Sequence, residues 1–262
     1  HPHIEIEQRG AVRKLWLDRP DVRNAFNDAL IAGISTAFAE IEASPQTRVV
    51  VVAARGPMFC AGADLNWMRS MAQFTHAESH ADALRVARIF HAVPSCSAPV
   101  IARVQGNAFG GGVGLAAACD IVVASEGGAF ALTEIRLGIV AATISPHLVR
   151  AMGPRHAARF MLTGEKFSAA EAKAVGLVHE TAAPHGLDEE IGQLVQHLLA
   201  ASPAALAATN RLMADVVEVP MEDDVLLAAT AKCIADARVS PEGREGLAAF
   251  LEKRAPGWAE KP

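Results

Sequence analysis

The run Pro99-Val100-Ile101-Ala102-Arg103-Val104, Gln105-Gly106-Asn107-Ala108-Phe109, Gly110-Gly111-Gly112-Val113-Gly114, Leu115-Ala116-Ala117-Ala118-Cys119-Asp120, Ile121-Val122-Val123-Ala124 decides the fold class. Its two ends are short apolar stretches, which read as buried strands. Between them a glycine turn opens a run of small apolar residues, which reads as a short buried helix. Strand, turn, helix, strand in that order predicts an α/β protein.

Working back toward the N-terminus, Arg48-Val49-Val50-Val51-Val52-Ala53 predicts another buried strand. Before it, Asn27-Asp28 can cap a helix carrying Leu30, Ile31, Ile34, Phe38 and Ile41 at 3–4 spacing. Ile4-Glu5-Ile6-Glu7 and Val12 to Leu17, joined through Gln8-Arg9-Gly10, read as a hairpin that Arg19-Pro20 ends. Residues 55–66 read as a turn-rich loop and His80 to Val93 as a helix. Downstream, Phe130-Ala131-Leu132 predicts a fourth strand. After about residue 145 the strand signal fades. Helices are predicted at 145–152, 155–163, 168–175, 187–200, 203–217, 221–238 and near 241–252, with a capping box at Ser168-Ala169-Ala170-Glu171. Residues 1–197 are expected to form the α/β core, and residues 198–262 a helical region that makes subunit contacts.

The 262 residues are 51% hydrophobic and 20% charged, as in an ordinary globular protein. A net charge of −5 with no long basic run argues against a nucleic-acid partner. No apolar stretch is long enough to span a bilayer, and no signal-peptide pattern is seen. Cys60, Cys96, Cys119 and Cys233 show no CxxC or zinc-like spacing, so a reducing, cytoplasmic setting is expected. His1-Pro2-His3 is assigned no function.

The chemistry concentrates in three places. Gly110 to Gly114 lacks both the G-x-G-x-x-G order of a dinucleotide site and the Lys-Ser/Thr of a Walker loop. It reads either as a tight turn or as an oxyanion site, where a helix N-terminus aims N–H groups at a developing negative charge. Phe59-Cys60-Ala61-Gly62-Ala63-Asp64 is a second small-residue turn able to supply another donor. Glu134, in Leu132-Thr133-Glu134-Ile135-Arg136-Leu137-Gly138, is a lone carboxylate. Leu132, Ile135, Leu137 and Ile139 suggest apolar surroundings that would raise its pKa and suit it to proton transfer. His147, His156, His179 and His185 show no metal-ligand spacing, and no metal site is predicted. Ser145, before Pro146, reads as a helix cap rather than a nucleophile, and no G-x-S-x-G elbow is present. Trp67, Met68 and Met71 read as pocket wall or core.

Taken in order, these residues resemble the crotonase superfamily, the enoyl-CoA hydratase/isomerase family. The resemblance covers almost the whole chain. It runs through Leu17-Asp18-Arg19-Pro20, Asn24-Ala25-Phe26, Phe59 to Leu65, Gln105 to Gly112, Cys119-Asp120, Thr133 to Gly138, Leu162-Thr163-Gly164 and Gly176-Leu177-Val178. It implies a spiral of ββα units with a helical C-terminal region, assembled as a homotrimer or a dimer of trimers. It implies an acyl-CoA thioester substrate, with coenzyme A entering as part of that substrate and no separate cofactor. The thioester oxygen would lie between the N–H groups of Ala63 and Gly111, and Glu134 would be the catalytic acid–base. Val22, Arg23, Ala25, Ala61, Gly62, Ala63, Asp64, Leu65 and Gly110 would hold the CoA portion. Phe250 and Lys253 would reach it from the tail or from a neighbouring subunit.

One departure stands out. Typical hydratases of this family carry a second glutamate in the helix after the glycines, and here that position is Gly114. The space left there is expected to hold water or a substrate branch, with Asp64, Glu78 and His80 as alternative acids. Gly112-Val113-Gly114-Leu115, Ile144-Ser145-Pro146, Ser240 to Leu247 and Ala249 to Arg254 are most similar to bacterial methylglutaconyl-CoA hydratase-like proteins. The expected activity is therefore hydration or dehydration of a short, branched or carboxylated enoyl-CoA. An enoyl-CoA isomerase and a non-catalytic acyl-CoA-binding protein are the alternatives.

Overall fold

The computed structural model describes residues 1–218 and 224–259. The N-terminal hairpin is β1 (Ile4–Arg9) and β2 (Val12–Leu17), paired antiparallel. Strands β3 (Val49–Ala54), β4 (Val100–Val104), β6 (Ile121–Ser125) and β9 (Glu180–Ala182) then add in parallel, for a six-stranded order β1-β2-β3-β4-β6-β9. A second sheet holds β5 (Ala108–Phe109), β7 (Ala129–Ala131) and β8 (Lys166–Ser168), in the order β5-β7-β8. Strands β4 and β6 thus lie in the large sheet, and each is followed by a short strand, β5 or β7, in the small one.

Strand β3 is buried throughout because both faces of the sheet are covered. Val50, Val52 and Ala54 point into the main core. That core also takes in α1 (Asp28–Glu42), α3 (His76–Ala92), α4 (Gly111–Ala118) and α5 (Ser145–Thr163). Val49 and Val51 point the other way, against Leu187, Ile191, Val195 and Leu199 of α7 (Leu187–Ala200). A two-residue period thus places alternate valines in two separate cores.

Several elements depart from expectation. Residues 65 and 66, expected to end a loop, instead begin helix α2 (Leu65–Met71), capped by Asp64, and Trp67, expected in pocket wall or core, packs on the core. Helix α3 starts earlier than predicted, because Thr75 and Glu78 form a capping box. The predicted break inside α5 is present at Gly153 (φ +70°) before Pro154. Strands β8 and β9, three residues each, were hidden by their shortness and by neighbouring helical pattern. Helix α6 (Ala169–Ala174) carries the expected Ser168–Glu171 capping box. Ser145 does begin α5, but its hydroxyl donates back to the Ala142 carbonyl rather than capping the helix.

Helices α8 (Pro203–Glu218), α9 (Asp224–Val239) and α10 (Pro241–Glu252) form the C-terminal region. Residues 221–223 of the predicted 221–238 helix lie outside the described residues. Residue 197 lies inside α7, which is packed on the large sheet, so the change from sheet-packed to helix-packed chain comes at Ala201. Among the described residues, no single helix is long and apolar enough to cross a membrane.

Candidate active site

Two loops meet over the N-terminus of α4. In the parallel bridge between Phe26 and Ala63, the Phe26 N–H donates to the Gly62 carbonyl at 2.7 Å, and the Asp64 N–H donates to the Phe26 carbonyl at 2.8 Å. A peptide unit is planar, with its N–H and C=O opposed. The Gly62 carbonyl faces Phe26, so the Ala63 N–H of the same unit points away from it. Gly62 (φ +90°) makes this turn, and its N–H donates to the Cys60 sulfur at 3.4 Å. Burial pushes the Cys60 thiol up to about 12, so the sulfur stays protonated as a structural group.

The other loop runs alongside it, through the Cys60–Ala108 bridge and the Phe109 N–H to Cys60 carbonyl bond of 2.9 Å. Gly110 has φ +51° and ψ −120°, a combination that glycine alone adopts readily. Its carbonyl accepts from Val113 (2.9 Å) and Gly114 (3.1 Å), which turns the Gly111 N–H outward from the start of α4. Among the described residues, neither the Ala63 nor the Gly111 N–H donates to a protein acceptor. Ala63 itself is an exposed residue.

Glu134 begins a 3-10 turn, Glu134–Leu137, directly after β7. A Cβ built on Gly110 would lie 3.0 Å from Glu134 Oε1 and 3.8 Å from the Gly62 Cα. Gly62, Gly110 and the carboxylate therefore meet, and only glycine leaves room between them. Glu134 Oε2 is buried with no hydrogen-bond partner. Burial raises the carboxyl pKa above its ordinary value, against a smaller lowering from its own backbone N–H. The expected apolar surroundings are not built from the neighbours predicted for them. Leu132 is buried, but Ile135 and Leu137 on the 3-10 turn, and Ile139 just after it, are 42%, 57% and 52% exposed.

Gly114 leaves no vacant space. A Cβ there would lie 2.1 Å from Cγ2 and 2.6 Å from Cβ of Ile144, which is 2% exposed. The branched side chain of Ile144 fills the gap expected to hold water or a substrate branch. The three alternative acids fare no better. Asp64 caps α2 through the N–H groups of Asn66 and Trp67 and pairs with Arg19 at 3.1 Å. Burial would raise its pKa, but those bonds outweigh burial and hold the carboxyl below its usual range. Glu78 is exposed and committed to the Thr75 capping box, whose bonds lower its pKa. His80 lies exposed on α3.

The structure brings Ala61, Gly62, Ala63, Asp64, Gly110, Gly111 and Glu134 together, with Leu65 at the edge and 70% exposed. Val22 and Arg23 border the same loop, since the Ala61 N–H donates to the Arg23 carbonyl at 3.0 Å. Ala25 is buried, and its carbonyl is held by Arg19. Phe250 lies on α10, which packs on α8 and α9, and is 80% exposed, while Lys253 caps the C-terminal end of that helix. A cavity of about 730 Å³ opens among these three helices and contains none of the predicted site residues. Among the described residues, no cluster of three or more metal-ligating side chains occurs.

The profile of the enoyl-CoA hydratase/isomerase family matches residues 7–261. The chain belongs to the enoyl-CoA hydratase/isomerase family. It is 32% identical to the 2,3-dehydroadipyl-CoA hydratase of Escherichia coli, over 97% of each chain. It is 34% identical to the mevalonyl-coenzyme A hydratase of Aspergillus fumigatus, over 98% of this chain and 92% of the other. The crystal structure of an enoyl-CoA hydratase from Shewanella pealeana superposes with a TM-score of 0.94 at 38% identity, covering 98% of this chain and 96% of that one. The crotonase fold and an enzyme of the enoyl-CoA hydratase/isomerase class, as the resemblance implied, are therefore what this chain is. Sequence reasoning missed the backbone of Phe26, which orients Ala63, and Ile144, which closes the space at Gly114. Neither carries a functional group that a motif search could register.

Proposed function

We propose that this member of the family is a hydratase-type lyase acting on a short, branched or carboxylated enoyl-CoA such as methylglutaconyl-CoA. The observation that carries the reading is the convergence of two acceptor-free N–H groups, Ala63 and Gly111, beside the partnerless Glu134 Oε2. In this reading the thioester oxygen accepts from both amides. Glu134 takes a proton from water as the water oxygen bonds to C3. The double-bond electron pair moves toward the thioester oxygen, giving an enolate held by the two donors. The same carboxyl then returns the proton to C2, and the carboxylate is restored. Water is consumed, no electrons leave the substrate, and coenzyme A serves only as the carrier.

Val22, Arg23 and Leu65 offer the exposed rim for the CoA portion. Ala25 and the Asp64 carboxylate act behind that rim as its internal support. Exposed Leu247, Phe250 and Leu251 on α10 support assembly as a homotrimer or a dimer of trimers, with Phe250 and Lys253 meeting a neighbour's CoA. The four free cysteines agree with a reducing, cytoplasmic setting.

A second reading, enoyl-CoA isomerisation, is favoured by one observation. Ile144 fills the space at Gly114, leaving Glu134 as the carboxylate at this junction. Glu134 would then carry a proton from C2 to C4 of a 3-enoyl-CoA. A panel of 2-enoyl, 3-enoyl and branched enoyl-CoAs, with products separated by mass, distinguishes the two. Water addition marks the hydratase, and a new, chromatographically distinct product of unchanged mass marks the isomerase. Glu134→Gln should lower kcat by roughly 10²–10⁴-fold in either case. Normal turnover by that variant would overturn the assignment of Glu134.

A further inference from the structure

Arg19 reaches the Ala63 turn through both its backbone neighbours and its side chain. Its backbone N–H donates to Asn24 Oδ1 at 2.9 Å, and its carbonyl accepts from the Asn24 N–H at 2.9 Å. Its guanidinium reaches two different segments. One nitrogen donates to the Ala25 carbonyl, next to Phe26, and the other to Asp64 Oδ2 at 3.1 Å. Phe26 is the residue whose backbone grips Gly62 on one side of Ala63 and Asp64 on the other. Arg19 therefore bridges the two strands of the bridge that aims the Ala63 N–H. The two side chains of the pair are each only 11% exposed, so the contact is shielded from solvent. Asn24, fully buried, ties the same loop down by donating to the Arg55 and Met58 carbonyls at 2.8 and 2.9 Å.

We propose that the Arg19–Asp64 pair is a positioning latch that holds the Ala63 N–H on the thioester oxygen. It acts through the Phe26–Ala63 bridge and touches no substrate atom. This inference rests on the oxyanion reading above. A shift of about 1 Å in such a donor typically costs on the order of 10²-fold in rate. Asp64 also caps α2, and the two roles can be separated. Asparagine caps a helix about as well as aspartate, but it has no charge to offer Arg19.

The test compares wild type, Asp64→Asn, Arg19→Gln, the conservative Arg19→Lys, and, as a remote ion-pair control, Arg159→Gln, which removes the exposed pair that Arg159 of α5 makes with Glu165 at 2.7 Å. Folding is checked by circular dichroism and Tm. Two functional readouts follow: kcat and KM on the best enoyl-CoA, and the near-ultraviolet enolate band of a bound 3-oxoacyl-CoA. That band reports polarisation of the thioester-linked enolate without turnover. Asp64→Asn and Arg19→Gln should lose about tenfold or more in kcat with KM within about threefold, and the enolate band should weaken. Arg19→Lys should fall between, and Arg159→Gln should match wild type. Folded Asp64→Asn and Arg19→Gln with wild-type kcat and enolate band would overturn the latch while leaving the oxyanion reading intact. If either of these two does not fold, Arg19→Lys decides by the same readouts. A wild-type protein that turns over no enoyl-CoA and gives no enolate band would overturn the functional reading, and the latch with it.

Discussion

Glu134 is charged in water and costly to charge where it sits. Its pKa is raised in the folded protein, so the native state holds the proton more tightly than the unfolded chain does. Between the two pKa values the unfolded chain binds fewer protons, and stability falls as pH rises through that window. Glu134→Gln should therefore have a higher Tm than wild type at neutral pH. The gain should shrink as pH falls below the unfolded-state carboxyl pKa, where both proteins are neutral at this position. Scanning calorimetry at pH 4 and pH 7 checks this. The same shift gives activity an acidic limb, since the base form exists only above the raised pKa. Gly110→Ala should remove most activity, because its Cβ would meet Glu134 Oε1 at 3.0 Å and its φ of +51° disfavours a side chain. A kcat near wild type in that variant would refute the steric account. Glu134 and the glycine run were legible as chemistry because few residue types can transfer protons or let a backbone approach. The role of Asp64 was not legible. Whether a carboxylate meets a substrate or an arginine depends on neighbours distant in sequence.

At the scale of elements, α4 packs against α5 through a pair that no single helix specifies. Gly114 exists where it does because Ile144, just before α5, occupies its side-chain space. Ile144→Ala should destabilise the protein by about 2–4 kcal/mol through the cavity left. Gly114→Ala should destabilise it by about 1–3 kcal/mol through overpacking. The double variant should be more stable than the sum of the two losses implies, since each change relieves the other, by roughly 0.5–3 kcal/mol. Urea unfolding of the four proteins closes the cycle, and strict additivity would mean that the two residues do not compete for one space. Elements with strong local signals, such as α1 with its Asn27 cap and the valines of β3, were predictable from periodicity. Strand β9 was not, because three residues hold too little pattern and β6 supplies the partner that makes them a strand.

For the whole molecule, Arg48 joins the two regions. From the start of β3 it donates to the carbonyls of Leu199 and Ala201 at the end of α7, each at 2.7 Å, and to that of Trp258 at 2.9 Å. The Trp258 indole in turn donates to the Ala200 carbonyl at 3.3 Å. One guanidinium thus pins both the entry to the C-terminal helices and the turn that follows α10. Arg48→Met should leave the sheet core folded but free the junction. Limited proteolysis should then cut between Ala201 and Pro203 faster than in wild type, releasing the C-terminal helices. Equal cleavage rates would mean that α8–α10 are held by packing alone.

The α/β order, the capped helices, the two small-residue turns and the single acid near them are written into the amino-acid sequence. Each of these depends on local spacing or on a residue type with one dominant chemistry. The free donors of Ala63 and Gly111, the commitment of Asp64 to Arg19 and the closing of the space at Gly114 by Ile144 arise from contacts across the fold. Those outcomes depend on which peptide groups and side chains meet across the fold. Hydrogen-bond direction and packed volume are properties of such meetings, and no local pattern encodes them.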